Sequence, residues 1–229
     1  MNKDLIVVIG AYGSGKSEYA INLAQLYKEN GEEVALVDLD VVNPYFRSRD
    51  VRDFFTSMDI EVISPDGEYG HADLPMISPR IAGAIKNISK TIILDVGGDP
   101  AGCRTMGRFV EAIEQRGYEM HFVVNTLRPF TSKVDEILEM MKMLETACRL
   151  KVTEIIANIN LMEETTAEMV KNGLQILDIV AKKSGVLFES YLVIENNDRL
   201  IDDNILGKTR IVLNYYLRKP WEYVQITGI

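Results

Sequence analysis

Little in this chain offers redox or metal chemistry. Among 229 residues there are two cysteines, Cys103 and Cys148, far apart and in no CxxC pattern. Neither a disulfide framework nor a cysteine-rich metal site is expected, and a reducing compartment is implied. Histidine is as scarce, with His71 and His121 alone. No apolar run approaches the roughly 20 residues of a membrane helix. The start, Met1-Asn2-Lys3-Asp4, leads straight into an apolar run without the regions of a signal peptide, so a cytoplasmic protein is expected. Basic residues are the minority: 25 Lys and Arg stand against 34 Asp and Glu, a net charge of -9. That balance argues against non-specific nucleic-acid or anionic-membrane binding, which need cationic surface.

What is present is sharper. Residues 10 to 17 read Gly-Ala-Tyr-Gly-Ser-Gly-Lys-Ser after the apolar run Leu5-Ile6-Val7-Val8-Ile9, and an amphipathic segment follows. This is G-x-x-x-x-G-K-S between a strand and a helix, the pattern of a phosphate-binding loop. Gly10, Gly13 and Gly15 let the backbone curl so that N–H groups converge on phosphate oxygens. The helix opening near Lys16 adds its positive end. Lys16 reaches the outer phosphates, and the Ser17 hydroxyl joins the shell of Mg²⁺. The candidate nucleotide contacts are therefore Gly10, Ala11, Tyr12, Gly13, Ser14, Gly15, Lys16, Ser17 and the adjoining Glu18.

Short aliphatic runs alternate with helical periods along the chain. Strands are expected at Leu5–Ile9, Glu33–Asp38, Ile60–Ile63, Thr91–Val96, Met120–Asn125, Glu154–Asn158 and Phe188–Ile194. Helices are expected at Lys16–Asn30, Val51–Thr56, Ser78–Ile88, Met106–Arg116, Thr131–Leu150, Thr165–Ser184 and Ile205–Leu217. The Met-bearing stripe of Thr131–Leu150 is read as a core face. Near-continuous Val/Ile/Leu strands joined by helices predict an α/β fold. Its form is a doubly wound, mostly parallel sheet of about seven strands with helices on both faces, and its ligand lies at the strands' carboxyl ends. With no Pro/Ser-rich linker and no repeat, residues 1–229 read as one domain.

Three acidic positions complete the loop's chemistry. The second strand ends Val37-Asp38-Leu39-Asp40, two carboxylates on one side of an extended chain. Asp38 is placed to hold Mg²⁺ through water, and Asp40 to orient an attacking water; a turn cap before Asn43-Pro44 is the other reading of Asp40. The strand Thr91–Val96 carries Asp95 at its end, a second magnesium partner beside Ser17. Gly98, three residues on, is a candidate contact to the terminal phosphate, and Asp99-Pro100-Ala101-Gly102 reads as a mobile loop.

The loop at the N-terminus, the run VDLDVVNP and the run ILDVGGDPAG together resemble the MinD/ParA/CobQ-type ATPases, the SIMIBI class of P-loop proteins. The resemblance implies a Mg²⁺-dependent ATPase with switch loops after Asp38 and Asp95, and hydrolysis assisted by Asp40. It implies adenine reading by Asn158, with Asn160 the next candidate and Asn196 or Asn197 as the other wall of the base site. A regulatory or maturation role with a homodimer or protein partner is expected. The alternative is a small-molecule enzyme of the same superfamily, activating a carboxylate as dethiobiotin synthetase and cobyrinic acid a,c-diamide synthase do. Four departures qualify the likeness. The family's signature lysine falls at Ala11, which leaves Arg47 or Arg49 to supply charge. Cys103 stands near a cluster-ligating position, but with Cys148 inside a helical period no iron–sulfur cluster is expected. Two histidines leave no glutaminase domain. The tail Tyr215–Tyr223, interrupted by Pro220, reads as a strap rather than a membrane helix.

Overall fold

Every residue of Leu5–Ile9 is buried, as a strand covered on both faces must be. The computed structural model describes residues 4–39, 55–64 and 79–217. Among these, β1 (Leu5–Ile9), β2 (Val34–Leu39), β3 (Glu61–Ile63), β4 (Thr91–Val96), β5 (Glu119–Val124), β6 (Glu154–Ala157), β7 (Leu187–Ile194), β8 (Asn204–Ile205) and β9 (Lys208–Leu213) form one sheet. Its order is β3-β2-β4-β1-β5-β6-β7-β9-β8. Only β8 with β9 pairs antiparallel.

The helices are α1 (Lys16–Glu29), α2 (Pro79–Lys86), α3 (Pro100–Arg104), α4 (Val110–Arg116), α5 (Val134–Cys148) and α6 (Ala167–Ser184). Alternate residues of each strand serve opposite faces. Ile6, Val8, Leu36 and Ile93 pack beneath α1 with Tyr19, Ile21 and Ala24. Leu5, Val7, Ile9, Ile92 and Leu94 join the larger core formed with α2, α4, α5 and α6. The sheet is thus mostly parallel with helices on both faces. The chain passes from β1 to β2, returns to β4 and then crosses β1 to β5. This reversal opens a crevice at the carboxyl ends of β1 and β4, where open α/β sheets take ligands.

Two expectations fail locally. The stretch Ile205–Leu217 is not a helix but adds short strands to the sheet, which has nine strands among the described residues. Leu206 and Gly207 both adopt left-handed backbone, φ 54° and 76°, and reverse the chain between β8 and β9. The β-branched Thr209, Ile211 and Val212 suit β9, which pairs in parallel with β7. Arg210 ties it in place, donating to the carbonyls of Asp198 and Ile201 and pairing with Asp198 at 3.0 Å and with Asp203. The second failure is the segment after Asp95. It folds into α3, whose N-cap Asp99 accepts from the Gly102 amide at 2.6 Å with Pro100 behind it. Asp40, Tyr45, Phe46, Arg47, Arg49 and His71 lie outside the described residues, as do most of Val51–Thr56 and the tail beyond Leu217.

Candidate functional site

The loop Gly10–Ser17 joins the central strand to α1, and the close packing around it explains its glycines. A Cβ on Gly10 would fall 2.4 Å from the Val123 carbonyl oxygen. One on Gly15, at φ 85°, would fall 2.1 Å from Asn158 Nδ2. Neither position admits a side chain without moving backbone or breaking a contact. Lys16 is 7% exposed at the first turn of α1, and Ser17 follows it half-buried.

Asp38 and Asp95 stand opposite each other on adjacent strands, and Val8 is the next position in the row. Both carboxylates are buried, at 1% and 0% exposure, on the face that α1 covers. Two like charges side by side repel one another, and a cation between them relieves that repulsion. Lys16 and Ser17 open the helix that covers this face. Ser17, Asp38 and Asp95 are oxygen donors of the kind Mg²⁺ takes, and magnesium keeps several waters and phosphate oxygens of its own. Among the described residues no group of three or more His, Cys, Asp or Glu side chains is set to hold a metal without such help.

Gly98 presses on the loop from the side. A Cβ there would lie 2.9 Å from the Tyr12 amide nitrogen and 3.0 Å from the Gly10 carbonyl oxygen. The start of α3 is therefore coupled sterically to the curve of the loop. Behind it, Cys103 and Cys148 are both fully buried, and Cys103 Sγ lies 3.7 Å from the Gly97 carbonyl oxygen. A hydrogen bond between the two thiols, then burial, pushes Cys148 far above the ordinary thiol range. The separation of the two cysteines along the chain gave no sign of this contact.

Four of the candidate residues make contacts within the protein. Asn158 donates through Nδ2 to the Ser14 carbonyl at 2.7 Å, so its amide props the loop. Its buried Oδ1 accepts no hydrogen bond among the described residues. Asn160 accepts from the Met162 amide at 2.7 Å and from Thr165 at 3.2 Å, which occupies it within its own loop. Asn197 is buried and donates to the Met162 carbonyl at 2.8 Å, whereas Asn196 is exposed. The Glu18 carboxylate turns from the loop and accepts the amides of Tyr216 at 2.6 Å and Leu217 at 3.0 Å. The described start of the tail thus straps onto α1, where Asn22 and Asn214 also exchange hydrogen bonds at 2.9 and 2.8 Å. Arg128 of the β5–α5 connection, which no sequence motif singled out, lies against Gly13.

Residues 5–212 match the family described as the CobQ/CobB/MinD/ParA nucleotide-binding domain. The chain belongs to this family. No curated protein sequence matches it significantly. Solved structures similar in fold include the cell division protein FtsY of Thermotoga maritima, at 20% identity and a TM-score of 0.59, covering 83% of this chain and 62% of that one. Chloroplast FtsY of Physcomitrella patens follows at 14% identity and a TM-score of 0.57, covering 83% and 59%. FtsY of Mycoplasma mycoides matches at 14% identity and a TM-score of 0.54, covering 82% and 59%. The chain spans 62% or less of the length of these structures, and the likeness establishes shared architecture alone. Among the described residues no helix of this CobQ/CobB/MinD/ParA domain is long and apolar enough to cross a membrane.

Proposed function

We propose that this protein binds Mg·ATP at Gly10–Ser17 and hydrolyses it, using the loss of the terminal phosphate to change the contacts of α3. The observation that carries the reading is the apposition of Gly98 to the Tyr12 amide and Gly10 carbonyl, because it packs the segment after Asp95 directly against the loop. Lys16 would hold the outer phosphates, Ser17, Asp38 and Asp95 would hold Mg²⁺, and Asp40 would orient the attacking water. When bound, the metal neutralises charge on the phosphates and on the adjacent carboxylates. The unsatisfied Asn158 Oδ1 suits the exocyclic amine of adenine, and the exposed Asn196 would border the base.

The arrangement suits a regulatory or maturation ATPase whose partner, a second copy or another protein, reads α3 and the segment after Asp38. Arg104 is exposed and available to such a partner, whereas Cys103 is fully buried and is not. The test is ATP turnover together with light scattering in ADP and in a non-hydrolysable ATP analogue with Mg²⁺. Turnover with a mass that differs between the two states supports the reading. Absence of turnover defeats the ATPase, and an identical mass defeats the nucleotide-controlled association.

A further inference from the structure

The loop Gly10–Ser17 carries one cation, Lys16, for a polyanionic phosphate tail, and it does so in a chain of net charge -9. A second cation stands over it. A Cβ on Gly13 would lie 3.5 Å from Arg128 Nε and 3.9 Å from Cζ, so the guanidinium rests against the loop's second glycine. Gly13 itself is left-handed, φ 74°, and exposed, which leaves no side chain between the arginine and the loop backbone.

The position of Arg128 is held from below. Its amide donates to the Asn125 carbonyl at 3.2 Å, and its carbonyl accepts from the Thr131 amide and hydroxyl at 3.3 Å. Asn125 and Thr131 are both nearly fully buried. Asn125 also bonds the Leu127 amide at 3.0 Å and the Asn160 carbonyl at 2.8 Å, which moors this connection to the one after β6. Phe130, two residues on, is 76% exposed and has φ 63°, a conformation a bulky L-residue adopts only when its surroundings impose it. Two buried side chains thus hold a strained turn whose product is an arginine over the phosphate loop. Lys133, Lys183 and Lys208 are ion-paired, whereas the Arg128 side chain has no hydrogen bond or ion pair among the described residues.

We propose that Arg128 contacts the terminal phosphate of the bound nucleotide and makes the site prefer triphosphate over diphosphate. The inference rests on the nucleotide-binding reading above. A guanidinium on this rim offers a planar fork that matches two phosphate oxygens. The loop's interior is left to the backbone amides and Lys16, and Arg128 adds a second positive charge at its rim.

Isothermal titration calorimetry on the full chain with Mg²⁺ separates the outcomes, using the β,γ-imido analogue of ATP and, separately, ADP. Arg128→Ala should lower affinity for the analogue by about tenfold or more, with ADP changed by less than about threefold. Arg128→Lys should fall between, keeping charge and losing the fork. A merely structural loosening of the loop would weaken both nucleotides alike, so equal losses overturn the proposal. Unchanged affinity of Arg128→Ala for the analogue overturns it as well. If the wild type binds neither nucleotide, the nucleotide-binding reading itself fails; if the wild type binds and the variant is indistinguishable, only the role of Arg128 fails.

Discussion

One row across the α1-covered face of the sheet holds two very different polar groups, separated by a single valine. On one side of Val8 stand Asp95 and then Asp38; on the other stand His121 and then Glu154. The acidic pair sets two carboxylates side by side, a repulsion that a cation would relieve. The histidine side is closed by protein. Tyr19 of α1 lies 2.9 Å from His121 Nδ1, and His121 Nε2 lies 3.1 Å from Glu119 and 3.8 Å from Glu154. If the tyrosine hydroxyl donates to Nδ1, Nε2 carries the proton toward Glu119, and the chain is complete in the neutral imidazole. Burial raises Tyr19 well above its ordinary value and also raises Glu154, while the hydrogen bond from His121 lowers Glu119. Equal burial therefore serves two ends under the proposed function: the acidic pair would receive a metal, and the histidine group fastens α1 to the sheet.

That contrast can be broken from either side. Lys16→Ala should reduce ATP turnover by about a hundredfold or more, with the thermal midpoint little changed, because its charge serves the phosphates. Wild-type turnover in that variant would remove the loop from the chemistry. Asp40→Ala should cost turnover on the order of a hundredfold, about 3 kcal/mol of barrier, while ATP affinity persists. Single-turnover rate and affinity measured on the same variant decide between a water-orienting group, a metal ligand and a turn cap. Asp95→Asn should weaken the magnesium dependence of binding, and an unchanged metal titration would take Asp95 out of the site.

Across Val8 the expected effects are on stability. Tyr19→Phe should cost about 1 kcal/mol of unfolding free energy with nucleotide affinity unaltered, since it removes one buried hydrogen bond. A loss of affinity instead would join the two groups into one functional unit. Glu119→Gln should have the smallest effect, confined to acid. A carboxylate whose native value is lowered contributes stability that is fully present above its unfolded value, near 4.5, and lost as pH falls through the native value. The variant's stability profile should be flatter over that acidic window and parallel to wild type above it. A difference that grew above neutrality would contradict the assignment.

The loop and its strand were legible from residues alone because local chemistry and local structure coincide there: glycine spacing, an apolar strand and a following helix all describe one turn. Asp38 and Asp95 were legible for a related reason, since each closes a strand whose aliphatic run marks its end. The C-terminal edge was not. Ile205–Leu217 has apolar residues that fit a helical period as well as an alternating one, and the decisive partners, Arg210 with Asp198 and the open edge of β7, are brought together by the fold. Leu206-Gly207 was the available signal for a turn. Asn158 entered as a candidate through the resemblance, but its bond to Ser14 spans 144 positions and no spacing rule reports it.

The sequence by itself determined that a glycine-rich loop of phosphate-binding pattern follows a buried central strand, that acidic residues stand near the ends of two further strands, and that the sheet is mostly parallel. Periodicity and turn chemistry act between residues close in the chain, and these features need nothing more. Tertiary structure alone decided that Asp38 faces Asp95, that Gly98 leans on the loop, that Cys103 meets Cys148, and that Arg128 rests over Gly13. Each of these pairs is assembled across strands or crossovers. Their geometry follows from strand order and sheet register, which the packing of both faces sets together.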